Sequence, residues 1–374
     1  MPVISLRDVG YSLNHWTPED GLPELRVTAV AQTPDGYLWC GTEDGLARFD
    51  GARFEVFHLD EIASIAGFRV IWMLCDSHGR LWIVDWDGRL VLYEGGRFRK
   101  LGSEDGIPDD QAGKLSEGLE GDVWIKGRTN EHFYRYRGDR FERISNPEIS
   151  AVMIDRFQAD KTGLKVAVAE ERRTVLQFDG NNYQEHQARA QDDSPVSLGR
   201  LFHLNDGTLG LTSRQGIYTF DGSKLILAHP FEHPMTEGSA LDGCQDRLGN
   251  YWIGTWAAGL ILSQRDGRTG RVDLPGLNDD TPFIRQVIVD REDNVWVASE
   301  NGLYRIYRGA MRTWSTFGEG LSDKAVRAVT QDAKQRMWLV FRKSVSVLDD
   351  RDSFLTTMQA SEMNQLCAAP ASNG

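Results

Sequence analysis

Ten residues before a recurring tryptophan position, the chain carries a column of mostly polar side chains. It reads Ala29, Trp72, Lys114, Arg156, Arg200, Asp242, Gln286 and Ala328. Arg285 and Arg327 stand one place earlier in their own copies. Charges at one height in four successive copies cannot all be buried unpaired, because an uncompensated buried charge is very costly. They must line a water-filled passage or pair between neighbouring units, and Asp242 is the acid within reach. Lining a passage, they would form a mainly cationic mouth suited to an anionic or polyhydroxylated ligand. A solvated axis with paired neighbours and no ligand is the alternative.

A second group stands four residues after the tryptophan position, between two strand-like runs. Trp86 and Trp256 are large rings on loops, suited to stacking on a sugar or another flat ligand. Each could instead cover the edge of its own unit. Arg128, Arg172, Arg214 and Arg342 occur on the same loops and could hold a carboxylate or sulfate. Pairing with nearby acids such as Glu131 or Glu170 is the alternative for them.

Catalytic patterns are sparse. His229 and His233 are four apart, but Pro230 and Pro234 preclude a helix that would align them on one face. There is no G-x-S-x-G and no H-E-x-x-H. The inner column offers one acid among several cations, a poor nest for a divalent ion. No catalytic residue, metal site or cofactor is implied.

The elements that carry these residues repeat. The tryptophan position is Trp39, Trp82, Trp124, Val166, Gly210, Trp252, Trp296 and Trp338, in steps of 43, 42, 42, 44, 42, 44 and 42 residues. In the first copy Val27–Gln32 is β-prone, Pro34-Asp35-Gly36 is a turn, and Tyr37–Gly41 a second strand. Leu46–Phe49 and Arg53–Phe57 follow, joined by the hairpin signal Asp50-Gly51. Four strands per copy at this period predict an all-β fold, a single β-propeller of four-stranded antiparallel blades. Apolar columns twelve and nine residues before the tryptophan have odd separation, so both faces of each sheet are apolar and must be sandwiched.

Eight copies favour eight blades, with seven the alternative. Tyr11–Trp16 followed by Asp20-Gly21 reads as the end of a copy, so an N-terminal strand should close the ring with copy eight. Residues 1–10 read as a lead-in, 11–350 as the propeller and 351–374 as a polar, frayed tail.

The chain has 42 Lys plus Arg against 55 Asp plus Glu, a net charge of −13, which argues against nucleic acid or an anionic membrane surface. Cys40, Cys75 and Cys244 lie in strand-like runs as small apolar groups. No basic and apolar leader is visible, and the longest apolar run is too short to cross a bilayer.

The first copy, VTAVAQTPDGYLWCGTEDGLARFDGARF, and the preceding HWTPEDGLPE resemble the regulator-propeller repeat of two-component sensor proteins. The resemblance covers roughly residues 11–350, weakening in copies four, five and eight. It implies a non-catalytic, extracytoplasmic ligand sensor, with carbohydrate fragments as the best-known ligands. A small molecule or oligosaccharide would then be the ligand, and a kinase or other output protein, or a second copy, the partner. By resemblance the compartment is the periplasm; with no visible leader it would be the cytoplasm. A protein-interaction platform and a metal-dependent hydrolase or lyase remain the other readings.

Overall fold

The computed structural model describes residues 1–58, 67–108, 112–118, 121–128, 132–144, 156–159, 165–169, 174–178, 183–190, 192–196, 198–235, 240–277, 283–308, 326–332, 336–341, 344–348 and 354–359. Two compact units divide the chain, Met1–Arg308 and Gly309–Gly374.

The first unit is a β-propeller in which each copy folds as its turns dictate. Val27–Gln32, Leu38–Thr42, Gly45–Phe49 and Phe54–Phe57 form sheet one in sequence order. At its last turn, Asp50 accepts bonds from the backbone N–H of Ala52 and Arg53, while Gly51 takes the φ of 100° that the hairpin needs. Copies two to seven repeat the plan, so the described residues of this unit contain seven sheets.

Sheet seven is completed by Ser12–Trp16, which runs antiparallel to Gly302–Tyr307. This corrects the expectation that the N-terminal strand joins copy eight in a ring of eight. The physical reason is aromatic. Trp16 stacks on Trp296 at 5.5 Å and meets the edge of Phe49 at 4.9 Å, which places it between sheets seven and one. Sheet seven then packs on sheet one through Leu22, Val27, Val30, Leu38 and Phe49 against Trp296, Ala298 and Leu303. Val30 N–H also donates to Gln286 Oε1 across the seam at 2.8 Å.

Residues 1–10 are not a loose lead-in. Val3–Ile4 adds a fifth, parallel strand beside Arg271–Val272 of sheet six, and Leu6 and Tyr11 are buried.

The tryptophans hold each sheet to its own loop. Asp76, Asp246 and Asp290 each accept the indole N–H six residues on, at 2.8, 3.0 and 2.7 Å. Thr33 plays this part for Trp39, and Asp122 for Trp124. In copy five, where Gly210 replaces the indole, Phe202 and Leu204 fill the space a side chain would need.

Both faces of the inner strands of sheets one, six and seven carry buried side chains, as the apolar columns require. Gly254 shows how tightly: a Cβ there would stand 2.6 Å from Ile284 Cγ2 of the next sheet.

The second unit holds one four-stranded sheet, Ala328–Gln331, Met337–Val340, Ser344–Leu348 and Phe354–Gln359. Phe354–Gln359 is thus a paired strand where the sequence reads as the start of a frayed tail. Trp338 again donates to Asp332, at 3.0 Å. Val326 and Val329 are exposed, although their equivalents Val27 and Val30 are buried.

Candidate functional site

In the first unit, the loops between second and third strands meet the segments entering the first strands. In sheets one, two, six and seven the side chain four residues after the tryptophan position is grasped there. Arg26, entering sheet one, bonds Glu43 of its own sheet at 2.9 Å and Glu300 of sheet seven at 2.5 Å. Phe283, entering sheet seven, receives Trp256 of sheet six edge-on, with ring centres 4.6 Å apart at 80°. Arg69, entering sheet two, lies 5.7 Å over the ring of Trp86 and accepts its backbone N–H.

These contacts join into a ledge across sheets six, seven and one. From Trp256 it passes to Phe283 and to Arg285, whose guanidinium lies 4.7 Å over the Phe283 ring. Arg285 bonds Glu300 at 2.7 Å, Glu300 meets Arg26, and Arg26 meets Glu43. Glu43 N–H in turn donates to Glu24 at 3.2 Å. Partial burial and the neighbouring Glu43 charge hold the Glu24 carboxyl above its usual range. Trp256 is 60 % exposed and Trp86 52 %, so both rings offer an open face. A flat ring over Trp256, with paired guanidinium and carboxylate groups at its edge, is what this ledge can bind.

Of the residues picked from sequence, Trp256 and Arg285 come together. Trp86 sits on the corresponding loop of sheet two, and Arg128 and Arg214 on the corresponding loops of sheets three and five, both exposed. Arg172 and Arg342 lie outside the described residues, as do Glu131 and Glu170.

The inner column is built differently from an open cationic mouth. Asp242 is buried, and its Oδ2 accepts Val287 N–H from the next sheet at 3.1 Å. Gln286 does the same for Val30. Burial pushes the Arg200 guanidinium pKa down, with the Asp242 charge opposing. Trp72 packs against the core between sheets two and three, so it is wall rather than platform. Lys114 is half-buried in Ala112–Glu117 and partnered. Arg156 begins Arg156–Ala159, its side chain outside the described residues. Arg327 is exposed in the second unit.

Glu24, Arg26, Glu43, Phe283 and Glu300 were missed. A count along the repeat finds them, because Glu43 and Glu300 share the position of Trp86 and Trp256, and Phe283 shares that of Arg26 and Arg69.

His229 lies in the strand Leu225–Pro230 rather than in a loop, buried, with Nε2 2.9 Å from Ser263 Oγ. Ser263 is itself buried against Thr269, so no substrate reaches the pair, and His233 is exposed. Among the described residues no group of three or more His, Cys, Asp or Glu is placed to hold a metal ion. Burial pulls the His229 pKa below the ordinary imidazole value, with Asp266 opposing. Folding therefore favours the neutral ring, while the unfolded chain takes a proton near pH 6.5. This stability is complete above that pH and is lost as pH falls towards the folded value. Thermal unfolding at pH 7.5 and 5.5 should show a larger loss for the wild type than for His229→Gln; equal losses would acquit His229.

Residues 21–44 match the family model described as two component regulator propeller. The match spans the first two strands of the first copy. Histidine kinase P4 of Formosa agariphila is 35 % identical over 54 residues, which are 14 % of this chain and 4 % of that protein. The chain thus aligns with only a small part of that relative. The chain also resembles in fold the extracellular domain of a hybrid two component system from B. thetaiotaomicron. The TM-score is 0.64 at 17 % identity, over 93 % of this chain and 49 % of that one. Virginiamycin B lyase from Staphylococcus aureus superposes with a TM-score of 0.63 at 12 % identity, over 79 % of this chain and 99 % of that one. At such identities the likeness is one of fold. No helix among the described residues is long and apolar enough to cross a membrane.

Proposed function

We propose that the chain is a non-catalytic, ligand-sensing propeller of the signal-transduction type. Its ligand, a carbohydrate fragment or another small polyhydroxylated or anionic molecule, binds on the ledge of sheets six, seven and one. The observation that carries this reading is the open indole of Trp256 beside Phe283 and the ion-paired chain Arg285–Glu300–Arg26–Glu43. An indole that mostly exposed gains little for the fold and much for a stacked ring. The regulator-propeller match in copy one supports a signalling context. Trp86 with Arg69 offers a second stacking face on the same side of the first unit.

Screening oligosaccharides and organic acids by thermal shift on the purified chain tests the reading. A ligand that stabilises the wild type should bind roughly fivefold more weakly to Trp256→Ala, since one stacked aromatic contributes on the order of 1 kcal/mol. The fold should be untouched, because the ring is largely outside the core. Ligand binding that survives both Trp256→Ala and Arg285→Ala unchanged would move the site elsewhere.

A further inference from the structure

Two sheets of the first unit share the pattern Asp-x-x-x-Asn-x-Trp, and the chain itself shows what one of them holds. In sheet six the trio is Asp246, Asn250 and Trp252. The phenol of Tyr11 is seated there, its hydroxyl donating to Asp246 Oδ2 at 2.6 Å and accepting from Asn250 Nδ2 at 2.9 Å. Its ring stands edge-on to Trp252, with centres 5.1 Å apart at 87°.

In sheet seven the trio is Asp290, Asn294 and Trp296. Asp290 Oδ1 takes the backbone N–H groups of Glu292 and Asn294, as Asp246 Oδ1 takes those of Leu248 and Asn250. Asp290 Oδ2 takes Asn294 Nδ2 and Trp296 Nε1, both at 2.7 Å. Asp246 Oδ2 takes the same two groups and the phenol besides.

Strand register explains the difference. Trp16 lies opposite Leu303 in sheet seven, and Phe57 lies opposite Leu46 in sheet one. Counting back five residues from each, Tyr11 corresponds to Ala52, an exposed methyl on the Asp50-Gly51 hairpin. Where sheet six has a tyrosyl ring over its trio, sheet seven has Trp16 and Phe49 against Trp296, and beside them a cleft that opens to solvent past Gly36, Asp50, Gly51 and Glu292. Its volume is about 170 Å³, and Asp290, Asn294, Trp296, Leu38, Phe49 and Arg305 line it. Arg305 Nη2 holds the Asn294 carbonyl at 3.1 Å, which fixes the amide so that Nδ2 faces Asp290. One Nδ2 hydrogen goes to Asp290, and the second has no protein acceptor among the described residues.

We propose that the seam between sheets seven and one is a binding site for a small hydroxyaryl molecule. Its phenolic O–H donates to Asp290 Oδ2, its oxygen accepts from Asn294 Nδ2, and its ring lies outside the Phe49–Trp296 contact, beside Leu38, Arg305 and the Asp50-Gly51 turn. The cleft is of a suitable size, since a closed cavity of about 150 Å³ takes benzene, and its open side leaves part of the ring in solvent. The turns that border it, at Gly36 and Asp50-Gly51, are at the opposite ends of their strands from the Trp256 ledge. The site is therefore separate from the proposed sensing ledge and does not depend on it.

The probe is p-cresol, with toluene as the ring lacking the hydroxyl, titrated into the full chain by calorimetry or tryptophan fluorescence. p-Cresol should bind at least tenfold tighter than toluene, because toluene leaves the buried Asp290 oxygen without a third donor and the Asn294 amide without a second acceptor. Asn294→Leu should abolish that preference. Should that variant fail to fold, Tyr11→Ala provides an independent arm: it recreates the same seat at sheet six, and p-cresol should restore more of the lost thermal stability than toluene does. Equal binding of the two probes to the wild type, or equal rescue of Tyr11→Ala, would overturn the proposal.

Discussion

Deleting residues 1–17 is expected to abolish cooperative folding of the first unit, whereas ending the chain at Arg308 is expected to leave that unit folded. The asymmetry follows from where the N-terminal strand lies. Ser12–Trp16 supplies the outer strand of sheet seven through five register pairs. Its tryptophan sits against Trp296 and Phe49, and Tyr11 fills the seam at Trp252. Without it, Gly302–Tyr307 becomes a bare edge and five ring contacts are lost, three of Trp16 and one each of Tyr11 and His15. Each buried large side chain removed costs about 3–5 kcal/mol, and a domain has only about 5–15 kcal/mol in total. By contrast, the described seams between sheets seven and one are made within Met1–Arg308. Circular dichroism and thermal melts of the two truncations decide the matter. A folded 18–374 chain, or an unfolded 1–308 chain, would mean that the ring is closed by copy eight after all.

The repeat, its period and its four-strand units were legible because the signal is redundant. Tryptophan, aspartate and hairpin columns advance together, and each reports a separate physical requirement. What the copies could not tell was which of them closes the ring. Ser12–Trp16 suits any copy lacking a fourth strand, and copy eight looked incomplete because Phe354–Gln359 carries no Asp-Gly turn before it. The stacking of Trp16 on Trp296 decides the pairing, and this is a contact between residues 280 positions apart. The same limit applies to the site. Trp256 and Arg285 could be picked out as types, but their joining through Phe283 and Glu300 depends on loops of adjacent sheets meeting. The inner column misled for a related reason. Asp242 and Gln286 look like ligands for something in a channel, yet the groups they satisfy are backbone N–H of the next sheet, which no side-chain pattern displays.

Asp246→Ala should be the most damaging single substitution of a polar residue in the first unit, and Tyr11→Phe should reproduce only a fraction of it. Asp246 is nearly fully buried and accepts five bonds: two from the backbone N–H of Leu248 and Asn250, and three from Asn250, Trp252 and Tyr11 side chains. Alanine would leave four of those donors without an acceptor, Asn250 Nδ2 keeping only the Tyr11 oxygen. Stranding a single buried donor costs about 1–3 kcal/mol, so even with relaxation the loss should reach about 4 kcal/mol, near the top of what single substitutions do. Asparagine keeps one acceptor oxygen in place and should recover part of it. Tyr11→Phe removes one hydroxyl and leaves the ring against Trp252, which should cost about 1 kcal/mol. Urea unfolding followed by tryptophan fluorescence gives the order wild type, Tyr11→Phe, Asp246→Asn, Asp246→Ala. Should Asp246→Ala prove no worse than Tyr11→Phe, the aspartate would be an ornament of the loop, and the tryptophans would hold the sheets by packing alone.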